Sequence, residues 1–111
     1  MLSREAAIAK IRKMTIGLDP DNRYHAKLLQ FGEFGSPTPA IHASDLVWAV
    51  EVQGRVETLS DGTKTWGTLV LDARTDGMVA ETAGPGTSDP RWPSYPDHSG
   101  RCASTTLTPA P

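Results

Sequence analysis

The first residues of the chain place apolar side chains at the spacing of an α-helix and charged side chains between them. Ser3 is a favourable N-cap, and Gly17 is a natural stop after the last turn. The apolar stripe consists of Ala7, Ile8, Ile11 and Met14. The pattern predicts an amphipathic helix from Arg4 to about Thr15, docked on a sheet.

A pattern with a period of two runs from Leu46 to Thr82, which is typical of strands. Asp61-Gly62 favours a two-residue hairpin turn, and this turn would put Val50 opposite Ala73 and Val52 opposite Leu71. One face of the hairpin is then apolar and the other is mostly polar, as expected when a helix covers one side. The apolar face comprises Trp48, Val50, Val52, Val56, Leu69 and Leu71, and the polar face includes Glu51, Gln53, Arg55, Trp66, Thr68 and Val70.

Tyr24 to Phe34 is rich in aromatic and aliphatic residues and predicts a further strand, whereas the prolines of Ser36 to Ala40 predict a surface loop. The predicted fold class is therefore α+β. It has one N-terminal helix packed on a three- to four-stranded antiparallel sheet, followed by an extended proline-rich C-terminal tail.

The segment Val70 to Gly77 admits three interpretations: a calcium loop, a catalytic carboxylate pair, or a turn between strands. With Asp72 first in an EF-hand loop, Arg74 falls at the third position and Ala83 at the twelfth. A cation in place of an oxygen ligand, and no bidentate carboxylate, disfavour calcium. Because the segment follows a strand that needs a return, the turn is preferred.

The predicted structural turn is formed by Asp72, Thr75, Asp76 and Gly77, with Gly77 as a left-handed bulge. In this register Val79 faces Ala73, and Glu81 does not oppose Asp72, which avoids facing carboxylates. The carboxylate of Asp72 is then expected to accept hydrogen bonds from amides of the turn.

The composition changes at Gly84, because six of the nine prolines lie beyond it. We expect one domain at 1–83 and a Pro/Gly/Ser/Thr-rich tail at 84–111 without regular secondary structure. Trp92 and Tyr95 are candidates to lie on the sheet, and Trp66 is a large ring on the polar face. Packing of Trp66 against the tail is preferred to contact with a foreign partner.

The net charge of -2 provides no basic excess for nucleic acid, and no apolar run approaches the roughly 20 residues that span a bilayer. His98 and Cys102 have the spacing of half a zinc site, but a structural site needs about four ligands. Asp97-His98-Ser99 names the residue types of a catalytic relay, yet adjacent residues form one poorly. We therefore predict no metal, no cofactor and no catalytic residue.

The stretches "VWAVEVQGRV" and "WGTLVLDARTDGMV" resemble the PepSY domain family, as does the N-terminal "SREAAIAKI". The family pattern is an apolar strand with tryptophan ending near glycine, then a strand closing in Asp-Ala-x-Thr-Gly-x-Val. Asp76 is inserted where threonine and glycine are normally adjacent. The matching residues are Trp48, Val50, Val52, Gly54, Asp72, Ala73, Thr75, Gly77 and Val79.

The resemblance implies a bacterial, extracytoplasmic or secreted module that restrains or regulates a peptidase. A cytoplasmic location stays open: Met1 is followed by Leu-Ser-Arg-Glu and not by the apolar stretch of a signal peptide, so any leader is expected to be absent from this chain.

The expected function is noncatalytic binding of a protein or peptide on the open sheet face or a sheet edge. The expected contact residues are Arg55, Trp66, Trp92 and Tyr95. Two alternatives stay open. One is a small enzyme or ligand-binding protein with a site between sheet and tail, and the other is a structural or assembly protein, including a homodimer.

Overall fold

The computed structural model describes residues 1–14, 21–58 and 62–99. It has one helix packed on a four-stranded antiparallel sheet in the order β1-β2-β3-β4, which confirms the predicted α+β class. The elements are α1 (Arg4–Met14), β1 (Arg23–Gln30), β2 (Leu46–Thr58), β3 (Gly62–Asp72) and β4 (Met78–Gly84), with 3₁₀ turns at Phe31–Glu33 and Trp92–Ser94.

The helix α1 begins where the sequence predicts, because the hydroxyl of Ser3 accepts a hydrogen bond from the amide of Ala6 at 3.1 Å. Ala7 and Ile11 are fully buried against the sheet, mainly on β1 and β2. Met14, at the end of the expected stripe, is instead exposed. Thr15, the predicted last residue, lies outside the described residues.

The strand predicted for Tyr24 to Phe34 ends earlier, at Gln30. The chain leaves the sheet there because Phe31–Glu33 forms a 3₁₀ turn that packs the ring of Phe31 below the sheet. The carboxylate of Glu33 accepts a hydrogen bond from the amide of Gln30 at 2.8 Å and holds this turn.

The predicted register between β2 and β3 is wrong by four residues, since Val50 faces Leu69 and not Ala73. The described ladder closes at the pair Thr58 and Gly62, so Gly62 belongs to β3 and not to a two-residue turn. Asp61 lies outside the described residues. Because four is an even number, every side chain keeps its predicted face despite the shift.

A bulge in β2, between Gln53 and Val56, accompanies this register. Gly54 has φ of 129° there, and the side-chain amide of Asn22 clasps the bulge. Its Nδ2 donates to the carbonyl of Arg55 at 2.9 Å, and its Oδ1 accepts from the amide of Arg55 at 3.1 Å. The sequence pattern gave no sign of this clasp.

The turn between β3 and β4 differs from its prediction in the residue that is left-handed, which is Asp76 at φ 61° and not Gly77. Aspartate tolerates this conformation because its side chain is short and polar. The bulge falls at Val79, because Met78 pairs with Leu71 and Ala80 with Val70; the expected pairing of Val79 with Ala73 is wrong.

The expected role of Asp72 in this turn is confirmed. Its Oδ1 accepts hydrogen bonds from the amides of Arg74 at 2.8 Å and Thr75 at 3.4 Å. The Oγ1 of Thr75 accepts in turn from the amide of Gly77 at 3.3 Å. Glu81 faces Leu69, so it does not oppose Asp72, as predicted.

One apolar cluster lies between α1 and the sheet, with Trp48 at its centre as the alternation predicts. The indole of Trp48 is 3% exposed and donates to the carbonyl of Leu2 at 2.8 Å. The buried members of this cluster are Ala7, Ile11, Ala26, Leu28, Trp48, Val50, Val52, Val56, Leu69, Leu71 and Ala73.

The opposite face of the sheet is also buried, so the expectation of a polar, open face is wrong. Val47 and Ala49 alternate with Trp48 and Val50, which makes β2 apolar on both sides, as in sheets that are covered twice. The chain after β4 lies over this second face. A second apolar cluster lies on this face, and its buried members are Leu29, Phe31, Phe34, Ile41, Val47, Ala49, Val70 and Tyr95.

We call residues 85–99 the strap. The strap contains a 3₁₀ turn at Trp92–Ser94, which corrects the expectation of a tail without regular secondary structure. Cys102 and the rest of the predicted tail, residues 100–111, lie outside the described residues.

Candidate functional site

Trp66, expected to contact either a partner or, by preference, the chain's own tail, is 5% exposed. Its indole Nε1 donates to the carbonyl of Pro85 at 2.8 Å, at the start of the strap. The ring lies so close to Gly84 that a Cβ there would come within 2.9 Å of the ring carbon Cζ2. The side chain thus anchors the strap to β3, which agrees with the preferred interpretation that Trp66 packs against the tail, although the contact is made to Pro85.

Trp92 and Tyr95 lie in the strap and contact each other, with ring centroids 5.9 Å apart and nearly perpendicular planes. Tyr95 also packs on Phe34 at 5.8 Å. Lys27 of β1 fixes both from below, since its Nζ donates to the carbonyls of Trp92 at 2.7 Å and Tyr95 at 2.9 Å. The same ammonium lies 4.9 Å from the ring centroid of Trp92.

Arg55 stands apart from these aromatic residues. It is exposed at the bulge of β2 and belongs to neither apolar cluster. Of the expected contact residues, the structure therefore brings together Trp92 and Tyr95 within the strap. Trp66 holds the start of the strap, and Arg55 is exposed to solvent.

A buried polar cluster, formed by Glu51, Thr68 and Asp89, lies between the strap and the sheet. Glu51 is 0% exposed and Asp89 is 2% exposed, so both acidic residues are buried. Glu51 accepts from the amide of Asp89 at 2.8 Å, and Asp89 accepts from the hydroxyl of Thr68 at 2.6 Å. The second oxygen of Asp89 accepts from the amide of Arg91 at 2.9 Å.

The remaining oxygen of Glu51 faces the rim of this cluster. It lies 3.4 Å from Nδ1 of His25 and accepts from Nε2 of Gln53 at 3.2 Å. Since buried carboxylates are costly without such partners, these bonds explain how two acids stay under the strap. The arrangement is suited to holding the main chain of the strap in place, because a reactant would have to displace the strap to reach either acid.

The hydroxyl of Tyr95 is the one buried side-chain polar atom without a hydrogen-bond partner in the described part of the chain. Burial, with the nearby carboxylate of Asp89, raises the pKa of Tyr95, and Arg91 opposes this by lowering it. The guanidinium of Arg91 lies 5.3 Å from the centroid of the same ring. The phenol is therefore held in its neutral form.

The outer edge of β1 is capped by side chains. Asp97 accepts from the amide of Leu28 at 3.1 Å, and Arg4 donates both to the carbonyl of Ala26 and to Asp97. Burial raises the pKa of Asp97, but hydrogen bonds from Ser99, Leu28 and Arg4 outweigh it and lower the pKa to about 2. These bonds occupy main-chain groups that a further strand would need.

His98 and Glu33 extend the cap, with Nε2 of His98 3.0 Å from Oε1 of Glu33. The bond from the amide of Gln30 lowers the pKa of Glu33; burial acts against it, and the contact with His98 adds to the lowering. Asp97, His98 and Ser99 therefore do not form a relay, because Ser99 bonds to Asp97 at 2.5 Å while His98 turns to Glu33.

Both β1 and β4 are edge strands among the described residues, and β4 forms the edge opposite the capped one. Ala26, Val50, Leu69 and Glu81 face one another in a row across the four strands. The carbonyl of Ala26 points out of the sheet toward Arg4. Because bonded and non-bonded pairs alternate across an antiparallel sheet, the amide and carbonyl of Glu81 point outward at the opposite edge, as do those of Ala83.

Sequence reasoning missed Lys27, Glu51 and Asp89, which hold the strap. Glu51 has the position of a solvated residue on a polar strand face, and nothing in its neighbours along the chain indicates a cover. The side chains of Lys27 and Glu51 bind main-chain groups of Trp92 and Asp89, which lie 65 and 38 residues away, a separation that no local pattern records. The tail aromatic residues were the one available signal, and they indicated the correct face.

No helix in the described ranges is long and apolar enough to cross a membrane. Within the same ranges, no group of at least three His, Cys, Asp or Glu residues is arranged to hold a metal ion. No family model matches the chain, and neither a curated protein nor a solved structure matches it. The PepSY resemblance therefore stays a prediction from the quoted residues.

Proposed function

We propose that the protein is a noncatalytic module that binds an extended segment of another protein along the outer edge of β4. One observation carries this proposal: Glu81 and Ala83 direct main-chain groups away from the sheet, and these groups have no partner among the described residues. Such an edge pairs readily with an incoming strand through main-chain hydrogen bonds.

The contrast between the two edges of the sheet supports this location. On β1, side chains from α1, the strap and the turn after β1 engage the outward groups of Ala26, Leu28 and Gln30. Both faces are covered as well, one by α1 and the other by the strap. Of the two surfaces expected from the sequence, an open face and a sheet edge, these contacts favour the edge, and we propose the edge of β4.

The PepSY resemblance supplies a class of partner for this edge. A module that holds an extended segment of a peptidase, or of a chain that a peptidase recognises, would restrain that enzyme without chemistry of its own. We propose peptidase regulation on this ground, with the module acting outside the cytoplasm.

A neutral peptide tests edge binding directly. The probe is an acetylated, amidated peptide of sequence Thr-Val-Thr-Gln-Thr-Val-Thr, which favours the extended state. On titration we expect the amides of Glu81 and Ala83 to become protected from hydrogen exchange and to shift in NMR spectra. Absence of protection at both amides at millimolar peptide would refute the proposal.

Proline substitution provides the matching variant. Ala83→Pro removes an amide that points outward, so the ladder to β3 is retained while the edge loses a donor. We expect binding of the neutral peptide to weaken at least several-fold, with an unchanged fold by circular dichroism. Ala43→Pro is the control, because Ala43 follows His42 at the start of an exposed turn where proline is favoured.

A small enzyme or ligand-binding protein is the second candidate, favoured by Glu51, Asp89 and the unpartnered hydroxyl of Tyr95 between sheet and strap. This candidate predicts that a small molecule shifts the signals of Tyr95 and Asp89 while leaving those of Glu81 and Ala83 in place. Spectra recorded against a small-molecule library distinguish it from edge binding.

A further inference from the structure

We propose that the segment bound at β4 carries a lysine or arginine beside Glu81, flanked at two-residue spacing by apolar side chains. This inference rests on the proposed function, since it specifies the partner of the same edge.

The position of Glu81 is set by its row in the sheet. Its side chain points to the face that α1 covers, because Ala26, Val50 and Leu69 of the same row belong to the cluster under α1. The helix packs mainly on β1 and β2, however, and Glu81 remains exposed beyond it. A strand added at β4 would place its own side chain directly beside this carboxylate.

The charge at this edge determines which side chain fits there. Glu81 has no ion pair among the described residues, whereas Asp76, in the turn before β4, lies 3.8 Å from Lys10. A partner cation would therefore meet a free carboxylate at Glu81. An acidic residue in that place would meet like charge, which destabilises facing strands.

The flanking positions are apolar. Met78, 39% exposed, and Ala83 lie on the same face as Glu81, since their partners Leu71 and Gly67 lie in the rows of Trp48 and Val52. Aliphatic side chains on either side of the partner's cation would cover Met78 and Ala83. An alternating segment of the form apolar-x-basic-x-apolar matches this surface.

A second copy of β4 is a poorer partner than such a segment. A two-fold pairing centred on Glu81 would set Glu81 against its own counterpart, with two carboxylates facing each other. Analytical ultracentrifugation at increasing protein concentration tests this alternative: a dimer that is lost in Ala83→Pro would overturn the proposal in favour of self-pairing.

The test compares three peptides that differ only at the centre, Thr-Val-Thr-X-Thr-Val-Thr with X as Lys, Gln or Glu. At low salt we expect the Lys peptide to bind about two- to five-fold more tightly than the Gln peptide, the scale of one cross-strand charge pair. Salt should reduce the difference, because the pair is exposed.

Charge reversal of the protein separates this inference from the proposed function. In Glu81→Lys, the order of the peptides should reverse, so that the Glu peptide binds best. Glu5→Gln removes an exposed carboxylate of α1 that is distant from Glu81 in the sequence, and it should leave the order of the peptide affinities unchanged. If all three peptides bind the wild type equally, the charge inference fails while edge binding stands; if none binds, the proposed function fails.

Discussion

Gly54 occupies a backbone conformation, φ 129°, that side-chain-bearing residues rarely adopt. A Cβ at this position would lie 2.0 Å from Oδ1 of Asn22, the atom that holds the bulge. We expect Gly54→Ala to destabilise the fold by about 1–3 kcal/mol, the range for a strained backbone site. Urea unfolding followed by tryptophan fluorescence measures this loss.

Gly77 is the matched control for that substitution. It lies in the turn where the sequence pattern predicted a left-handed glycine, but the positive φ belongs to Asp76. A Cβ on Gly77 would find only Thr75 Oγ1, at 3.5 Å. Gly77→Ala should therefore change the free energy of unfolding little, and a loss equal to that of Gly54→Ala would contradict this account of the two glycines.

Thr68 tests the buried polar cluster, because its hydroxyl is the donor to a carboxylate oxygen of Asp89 at 2.6 Å. Thr68→Val keeps the shape but leaves that oxygen without its donor. We expect a loss of about 1–3 kcal/mol in the free energy of unfolding. Thr82→Val, on the neighbouring strand, serves as the comparison. The double variant Thr68→Val with Asp89→Asn should lose less stability than the sum of the losses in the two single variants.

Side-chain hydrogen bonds from several strands hold the strap, and Lys27 makes two of them. Lys27→Met keeps the apolar stem and removes the ammonium that donates to the carbonyls of Trp92 and Tyr95. We expect faster hydrogen exchange in 92–95 with the β2–β3 ladder unaffected. Lys13→Met, at an exposed position of α1, removes the same charge and should leave the strap protected.

Alternation predicted which side chains share a face, but it did not predict how far one strand slides along the next. Trp48, Val50 and Leu71 fall on the predicted face although the register moved by four residues, because an even shift preserves every face. The bulge at Gly54 and the clasp by Asn22 set the register, and they arise from contacts between β2 and the residue before β1. Pairwise contacts of that kind leave no period in the sequence.

The whole molecule has three layers: helix, sheet and strap. The sequence predicted the first two because α1 and the alternating strands carry their own periods. The third has no period, and its prolines resemble those of a solvated tail. Only the rings of Trp92 and Tyr95 indicated burial and favoured packing of Trp66 against the tail, so the extent of the cover over the second face required the three-dimensional structure.

The attachment of the strap also predicts a pH dependence for the molecule. Hydrogen bonds lower the pKa of Asp97 to about 2, below the 3.8 of an unperturbed side chain, so the folded state favours the ionised form. A lowered pKa stabilises the fold above the unfolded pKa, and the stabilisation disappears as pH falls through the folded pKa. The free energy of unfolding should therefore decrease between pH of about 4 and 2, with a smaller contribution of the same sign from Glu33.

Urea midpoints measured from pH 7 to pH 2 test this expectation. Asp97→Asn removes the titrating group, so this variant should be less stable at pH 7 and should lose less stability on acidification than the wild type. Glu5→Gln, which removes an exposed carboxylate from α1, should keep the wild-type slope. The bonds to Arg4, Leu28 and Ser99 favour the ionised form of Asp97 over the protonated form. Equal acid slopes in the wild type and Asp97→Asn would therefore mean that Asp97 does not couple the strap to the edge of β1.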